Sequence, residues 1–172
     1  MKLNLSLLVF TVATAQSIHA FSMEYRIYSK ADRDQCLGAD GNSAVGTQNG
    51  KSPIFWSCAD SPGPNAIWIL DAYGHLSTKA NPSQCLGAKG NSAAGTQNGM
   101  SPIFYSCAGS PGPNAIWHLD ANGHLTTEAN PSQCLGAKGN SAVGTQNGMS
   151  PIFYSCAGSP GPNAQWVLEL AN

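Results

Sequence analysis

Four short runs recur in order along the chain, apolar or alternating with polar positions, each bounded by Gly, Pro, Asn, Ser or Asp. In the middle of the molecule they read HLSTK (75–79), QCLGA (84–88), SPIFYSC (101–107) and AIWHLD (115–120). Runs this short, closed off by turn residues, predict strands and not helices. EYRIYSK (24–30) supplies the first strand of the series. LDANGHL (119–125) contains Asn122-Gly123, a pair that favours a tight type I′ hairpin turn, with Asp71, Asp120 and Glu169 at matching positions as turn and surface residues. Trp68, Trp117 and Trp166 each lie in such an apolar run and are expected in the core.

The runs repeat because the chain does. SPIFYSCAGSPGPNA stands at 101–115 and again at 150–164, with SPIFWSCADSPGPNA at 52–66, so the period is 49 residues. Three copies follow, about 24–73, 74–122 and 123–172. Between Gln84 and Trp117, copy two differs from copy three only at Ala94 (Val143) and Ile116 (Gln165). Copy one departs further, with Asp40, Lys51, Trp56 and Asp60 where the others carry Lys, Met, Tyr and Gly. Three four-stranded units are too few for a typical propeller, and a solenoid needs polar end caps that near-identical copies do not provide. A closed three-fold arrangement has no terminal copy. The expectation is an all-β chain, a β-trefoil with pseudo-three-fold symmetry.

Composition narrows the partners. Of 172 residues only 10% are charged and the net charge is −1, which gives no electrostatic attraction to nucleic acid or to an anionic membrane. Lys2, an apolar run from Leu5 to Ala15, and small residues after it read as a secretory signal over residues 1–20, cleaved after Ala20 or after Ala15. The mature chain from 21 to 172 is then one extracellular domain without a transmembrane anchor. Six cysteines follow the signal, with no C-x-x-C or H-x-x-x-H pair, so zinc is a poor reading and no metal or cofactor is expected. Three equivalent units leave two symmetric pairings. One joins Cys36–Cys58, Cys85–Cys107 and Cys134–Cys156. The other joins Cys58–Cys85 and Cys107–Cys134 and returns Cys156 to Cys36. The first is favoured because it staples each unit locally, a loop of that size being worth about 3 kcal/mol in the chain-entropy model.

Each copy thus reads QCL, a loop, an aromatic before the second cysteine, NAxW, and, in the first two copies, GHL leading into the next CL. This resembles the ricin-B-type lectin domain, a disulfide-bridged trefoil of Q-x-W repeats, although the family's Gln is Ala66, Ala115 and Ala164 here. The resemblance implies carbohydrate binding. It places an aromatic platform at Trp56, Tyr105 and Tyr154, whose faces can stack on the C–H face of a sugar. It places a hydroxyl-binding amide at Asn65, Asn114 and Asn163, presented by the SPGPN turn. The family's usual Asp, two residues after the first cysteine, is Gly38, Gly87 and Gly136, and Asp40 is matched by Lys89 and Lys138. The candidate compensation is the glycine-flanked loop between second and third strands. It holds Asn42, Gln48 and Asn49, with Asn91, Gln97, Asn98 and Asn140, Gln146, Asn147 as equivalents. Neutral amides suit a neutral glycan.

The leading expectation is a secreted, non-enzymatic lectin with up to three similar glycan sites whose partners are glycans or glycoproteins. Repetition of a modest site would give avidity on a glycan-bearing surface. The alternative is an extracellular trefoil scaffold that binds a protein or inhibits a hydrolase, motivated by the missing carboxylates. A glycosidase is disfavoured, because no pair of acids recurs at the presumed sites. Neither the glycan nor the oligomeric state is legible.

Overall fold

The computed structural model describes residues 23–171 except 42, 60–62, 91, 110–111, 140–141 and 159–160. The expected signal at 1–20, the loop residues Asn42, Asn91 and Asn140, Asp60, and the Ser-Pro that opens each SPGPN turn lie outside the described residues. Twelve strands run through the described residues, four per copy. Copy one contributes β1 (Met23–Ser29), β2 (Asp32–Gly38), β3 (Ile54–Ser57) and β4 (Trp68–Leu70); copy two β5 (Leu76–Thr78), β6 (Asn81–Gly87), β7 (Ile103–Ser106) and β8 (Trp117–Leu119); copy three β9 (Leu125–Thr127), β10 (Asn130–Gly136), β11 (Ile152–Ser155) and β12 (Trp166–Leu170). Among the described residues no helix is long and apolar enough to cross a membrane.

All strand pairs are antiparallel, and the chain closes on itself through β1, which pairs with β12 from Tyr25↔Leu170 to Ser29↔Trp166 and with β4 from Met23↔Leu70 to Tyr25↔Trp68. β4 pairs with β5 and β8 with β9, while the bridges His75↔Ile116 and His124↔Gln165 complete the ring. The hairpins β2–β3, β6–β7 and β10–β11 lean on one another cyclically. Gly50 N–H donates to Phe104 O, Gly99 N–H to Phe153 O, and Gly148 N–H to Phe55 O, at 2.8, 2.8 and 2.9 Å. The closed three-fold expectation is met, and no copy is terminal.

Each copy gives the core the same residues. Leu37, Leu86 and Leu135, Phe55, Phe104 and Phe153, and Trp68, Trp117 and Trp166 are buried. The tryptophans join copies by stacking, Trp68 on Phe104, Trp117 on Phe153 and Trp166 on Phe55, with centroids 5.9–6.0 Å apart and rings within 12° of parallel. Their indole N–H groups donate to Leu37, Leu86 and Leu135 O at 2.7 Å, so burial leaves no orphaned donor. The disulfides are Cys36–Cys58, Cys85–Cys107 and Cys134–Cys156, one within each copy as favoured.

Two local expectations change. β6 starts at Asn81 and not at Gln84, because the register shifts between Ser77 and Thr78. The strand bulges there, and a bulge admits Pro82, which has no N–H to give a ladder. The hairpin turn at LDANGHL is not type I′. That turn needs positive φ at both central residues, yet only Gly123 (φ 89°) adopts it and no non-glycine residue does. Gly123 N–H instead donates to Asp120 O, and the Asp120 carboxylate accepts from the Asn122 and His124 amides at 2.8 Å. The aspartate organises a longer turn that ends on a left-handed glycine.

Candidate functional site

On the third strand of each copy the residue facing the first cysteine is the aromatic singled out from the sequence: Cys36↔Trp56, Cys85↔Tyr105 and Cys134↔Tyr154. Strand alternation puts its neighbour Phe55, Phe104 or Phe153 into the core, so the aromatic turns outward and is half-buried. The ring position is therefore shared by the three copies, but its surroundings are not.

In copies two and three the phenol end of the ring lies over the glycine that stands in place of the family's Asp. A Cβ built on Gly87 would overlap the Tyr105 hydroxyl and come within 2.7 Å of Asn114 O; one on Gly136 would overlap the Tyr154 hydroxyl and lie 2.7 Å from Asn163 O. Glycine is what lets the ring lie there. The Tyr105 hydroxyl is buried and finds no hydrogen-bond partner among the described residues, and its desolvation pushes the phenol up to about 12 from 10.0. In copy one the nearest atom to such a Cβ on Gly38 is Asn65 O at 3.2 Å, and no ring atom is as near. The indole there does not crowd the glycine, whose Cβ position is bounded instead by Asn65 O and by Ala66 Cα and Cβ at 3.2–3.4 Å.

The asparagines are not presented to solvent, contrary to expectation. Asn65, Asn114 and Asn163 are 1%, 2% and 3% exposed, and their amides hold from beneath the loop between the second and third strands of their own copy. Asn65 Nδ2 donates to Gly41 O and to Ser43 O (3.1 Å), Asn114 Nδ2 to Gly90 O and to Ser92 O (3.2 Å), and Asn163 Nδ2 to Gly139 O. The amide N–H that would meet a sugar oxygen is spent on the loop's backbone carbonyls, which the buried amide faces from inside. Short 3-10 turns at Pro64–Ala66 and Pro162–Ala164 carry the asparagines of copies one and three.

Gln48, Gln97 and Gln146 are exposed at the end of that loop, after 3-10 turns at Ala44–Thr47, Ala93–Thr96 and Ala142–Thr145. Each loop is tied to the next copy's aromatic strand. Phe104 N–H donates to Lys51 O, Phe153 N–H to Met100 O and Phe55 N–H to Met149 O, all at 2.8 Å, while Asn147 Oδ1 accepts from Ser57 N–H beside Trp56. A site combining ring and glutamine thus spans two copies, a pairing that the spacing within one copy does not reveal.

Sequence reading also missed the pairing of His75 Nδ1 with Asp71 (2.8 Å) and of His124 Nδ1 with Asp120 (2.9 Å). Burial opposes ionisation of Asp71, yet hydrogen bonds from the His75 amide and ring and from the Tyr73 amide outweigh it and hold the carboxyl below its ordinary value. These carboxylates are occupied in shaping turns. Among the described residues no three metal-ligating side chains cluster.

The family described as ricin-type beta-trefoil lectin domain matches residues 72–172. No curated protein sequence matches the chain. Among solved structures, the β-trefoil lectin of Vibrio vulnificus hemolysin/cytolysin with N-acetyl-D-lactosamine bound is similar at TM-score 0.64 and 17% identity, over 88% of this chain and 96% of that one. The C-half of the earthworm R-type lectin in complex with GalNAc gives 0.63 and 15%, over 87% and 99%. The agglutinin of Abrus precatorius gives 0.63 and 17%, over 91% of this chain and 51% of that one.

Proposed function

The chain belongs to the ricin-type β-trefoil lectin family, and from that membership we propose that it is a secreted, non-catalytic carbohydrate-binding protein whose most open site is that of copy one. The observation that carries this reading is the outward, half-buried ring at one strand position in all three copies, each on a strand tied to a loop of exposed neutral amides. Trp56, whose ring does not crowd Gly38 as the tyrosines crowd Gly87 and Gly136, with Gln146 on the adjoining loop, is the leading contact set. Tyr105 with Gln48 and Tyr154 with Gln97 are the weaker ones, since a sugar there meets only the ring face. Asn65, Asn114 and Asn163 serve by holding the loops. Residues 1–20 direct export and 21–172 form the lectin domain; three local disulfides suit an oxidising compartment.

A glycan array of the oxidised mature protein, beside Trp56→Ala and the triple variant Trp56→Ala/Tyr105→Ala/Tyr154→Ala, tests the reading. Binding to a defined glycan that Trp56→Ala removes in large part, and the triple variant entirely, is expected. Undiminished retention by a folded triple variant overturns it. A protein-binding scaffold is the second reading, favoured by the asparagine amides being committed to backbone; a stoichiometric partner indifferent to free sugars would select it.

A further inference from the structure

The repeat places a cleft beside the second cysteine of copy one and another beside that of copy two, and the two differ in charge. Beside Cys107 the cleft is about 490 Å³, lined by Asp71, Tyr73, His75 and Ile116, with the acid and the imidazole paired. Beside Cys58 its counterpart measures about 240 Å³ and is lined by Arg26, Tyr28, Arg33, Glu169 and the Cys36–Cys58 bridge. Arg26 takes the place of His75 and His124, and Arg33 that of Pro82 and Pro131. These are the only two arginines in the sequence, and they arrive from different strands. Arg33 reaches it from the bulge between Asp32 and Cys36, where the other copies accommodate proline.

Neither guanidinium is paired with a carboxylate among the described residues. Arg26 donates one long bond to Cys58 O (3.4 Å), and Arg33 lies over the Tyr28 ring at 5.6 Å from its centroid. Glu169 is the acid in the cleft. It faces Arg26 across the β1–β12 ladder, but its Oε2 accepts from the Tyr28 hydroxyl at 3.1 Å. Two cations against one acid leave the cleft positive on a chain whose net charge is −1. Guanidinium forks with free N–H groups, one of them resting on a ring, match the planar or tetrahedral oxygens of a carboxylate or sulfate. The cleft shares no lining residue with the Trp56 site.

We propose that the cleft of Arg26, Tyr28 and Arg33 binds the carboxylate or sulfate group of an acidic glycan, a second site apart from the aromatic ones. The acidic-glycan part rests on the lectin reading; the anion site itself does not. The test is an NMR titration of the oxidised protein at constant ionic strength with sulfated N-acetyllactosamine, with N-acetylneuraminic acid, with neutral N-acetyllactosamine and with inorganic sulfate. The Arg26 and Arg33 side-chain N–H signals and the Trp56 indole are followed. At least one acidic sugar is expected to shift both arginines while the neutral disaccharide does not, and the arm that responds names sulfate or carboxylate. Arg33→Gln, at an exposed position, is expected to weaken that binding about tenfold, as is Arg26→Gln, with the Trp56 response to neutral sugar unchanged. Asp60→Gly, which gives copy one the residue of the other two, is expected to preserve or tighten it. Arginine signals that move for no anion, or an Arg33→Gln protein that binds as wild type, overturn the site. Inorganic sulfate bound with both acidic sugars refused overturns its assignment to a glycan. A silent Trp56 with responsive arginines counts against the aromatic site alone.

Discussion

Replacing Asp32 by asparagine is expected to stabilise the protein. At each junction between copies a buried threonine ends the loop's 3-10 turn and meets the first residue of the next copy's second strand. Thr47 Oγ1 donates to Ala44 O (2.7 Å) and accepts from Asn81 Nδ2 (3.0 Å); Thr96 Oγ1 donates to Ala93 O (2.7 Å) and accepts from Asn130 Nδ2 (2.9 Å). At the third junction Thr145 Oγ1 faces Ala142 O (2.6 Å) and Asp32 Oδ2 (3.0 Å). A hydroxyl has one hydrogen and a carboxylate supplies none, so two acceptors compete for a single proton. Asparagine restores the missing donor, and its carbonyl keeps the bond now made by Asp32 Oδ1 with the Asp34 amide. One buried hydrogen bond regained, with an acceptor–acceptor contact removed, is worth about 1–2 kcal/mol. In a chain of this size that is a rise in Tm of roughly 2–4 °C per kcal/mol. Thermal melts of oxidised wild type and Asp32→Asn read it, with Asn81→Asp as the converse change, expected to lower Tm by a similar amount. Equal melting of all three proteins, or a lower Tm for Asp32→Asn, would refute the hydrogen-bond accounting.

Four further outcomes follow from the same geometry. Gly38→Asp is expected to fold and to gain affinity for galactose-type sugars, whereas Gly87→Asp, which must displace Tyr105 and clash with the Asn114 carbonyl, is expected to lose about 2 kcal/mol or more with no gain; sugar-affinity chromatography and melting curves separate the two. Tyr105→Phe removes a buried, unpartnered hydroxyl and is expected to be about 1 kcal/mol more stable at neutral pH. The Tyr105 phenol is raised in the folded state, so its stabilisation is complete below pH 10 and is lost as pH climbs toward about 12. After discounting for screening the loss is about 1 kcal/mol, and denaturant melts across that range should show wild type losing that much more stability than Tyr105→Phe. Trp117→Phe empties part of the Phe153 stack and strands the Leu86 carbonyl, a loss of roughly 2–4 kcal/mol readable in the same melts.

The sequence alone determined what repetition and local chemistry can dictate. A 49-residue period with near-identical copies leaves no copy able to serve as an end, so closure followed, and with it the trefoil and a core of one tryptophan per copy; the same period cut the disulfide pairings to two, of which local stapling favoured the in-copy set that forms. These depend on which residues are apolar and how far apart they fall, both of which are linear information. Tertiary packing decided the rest, because a side chain's direction depends on neighbours remote in the chain. The SPGPN motif marked an asparagine but not which way it faces, and the loop carbonyls at Gly41 and Ser43, more than twenty residues away, turned it inward. Gly87 and Tyr105 each looked like an isolated departure from or agreement with the family, yet in space the phenol lies over the glycine, as the Trp56 ring does not over Gly38. Asn122-Gly123 pointed to one turn, and the Asp120 carboxylate imposed another. Arg26 and Arg33 were unremarked as letters in the first copy. Only the pairing of β1 with β12, together with the bulge in β2, places both beside Glu169 and the Cys36–Cys58 bridge in one positive cleft.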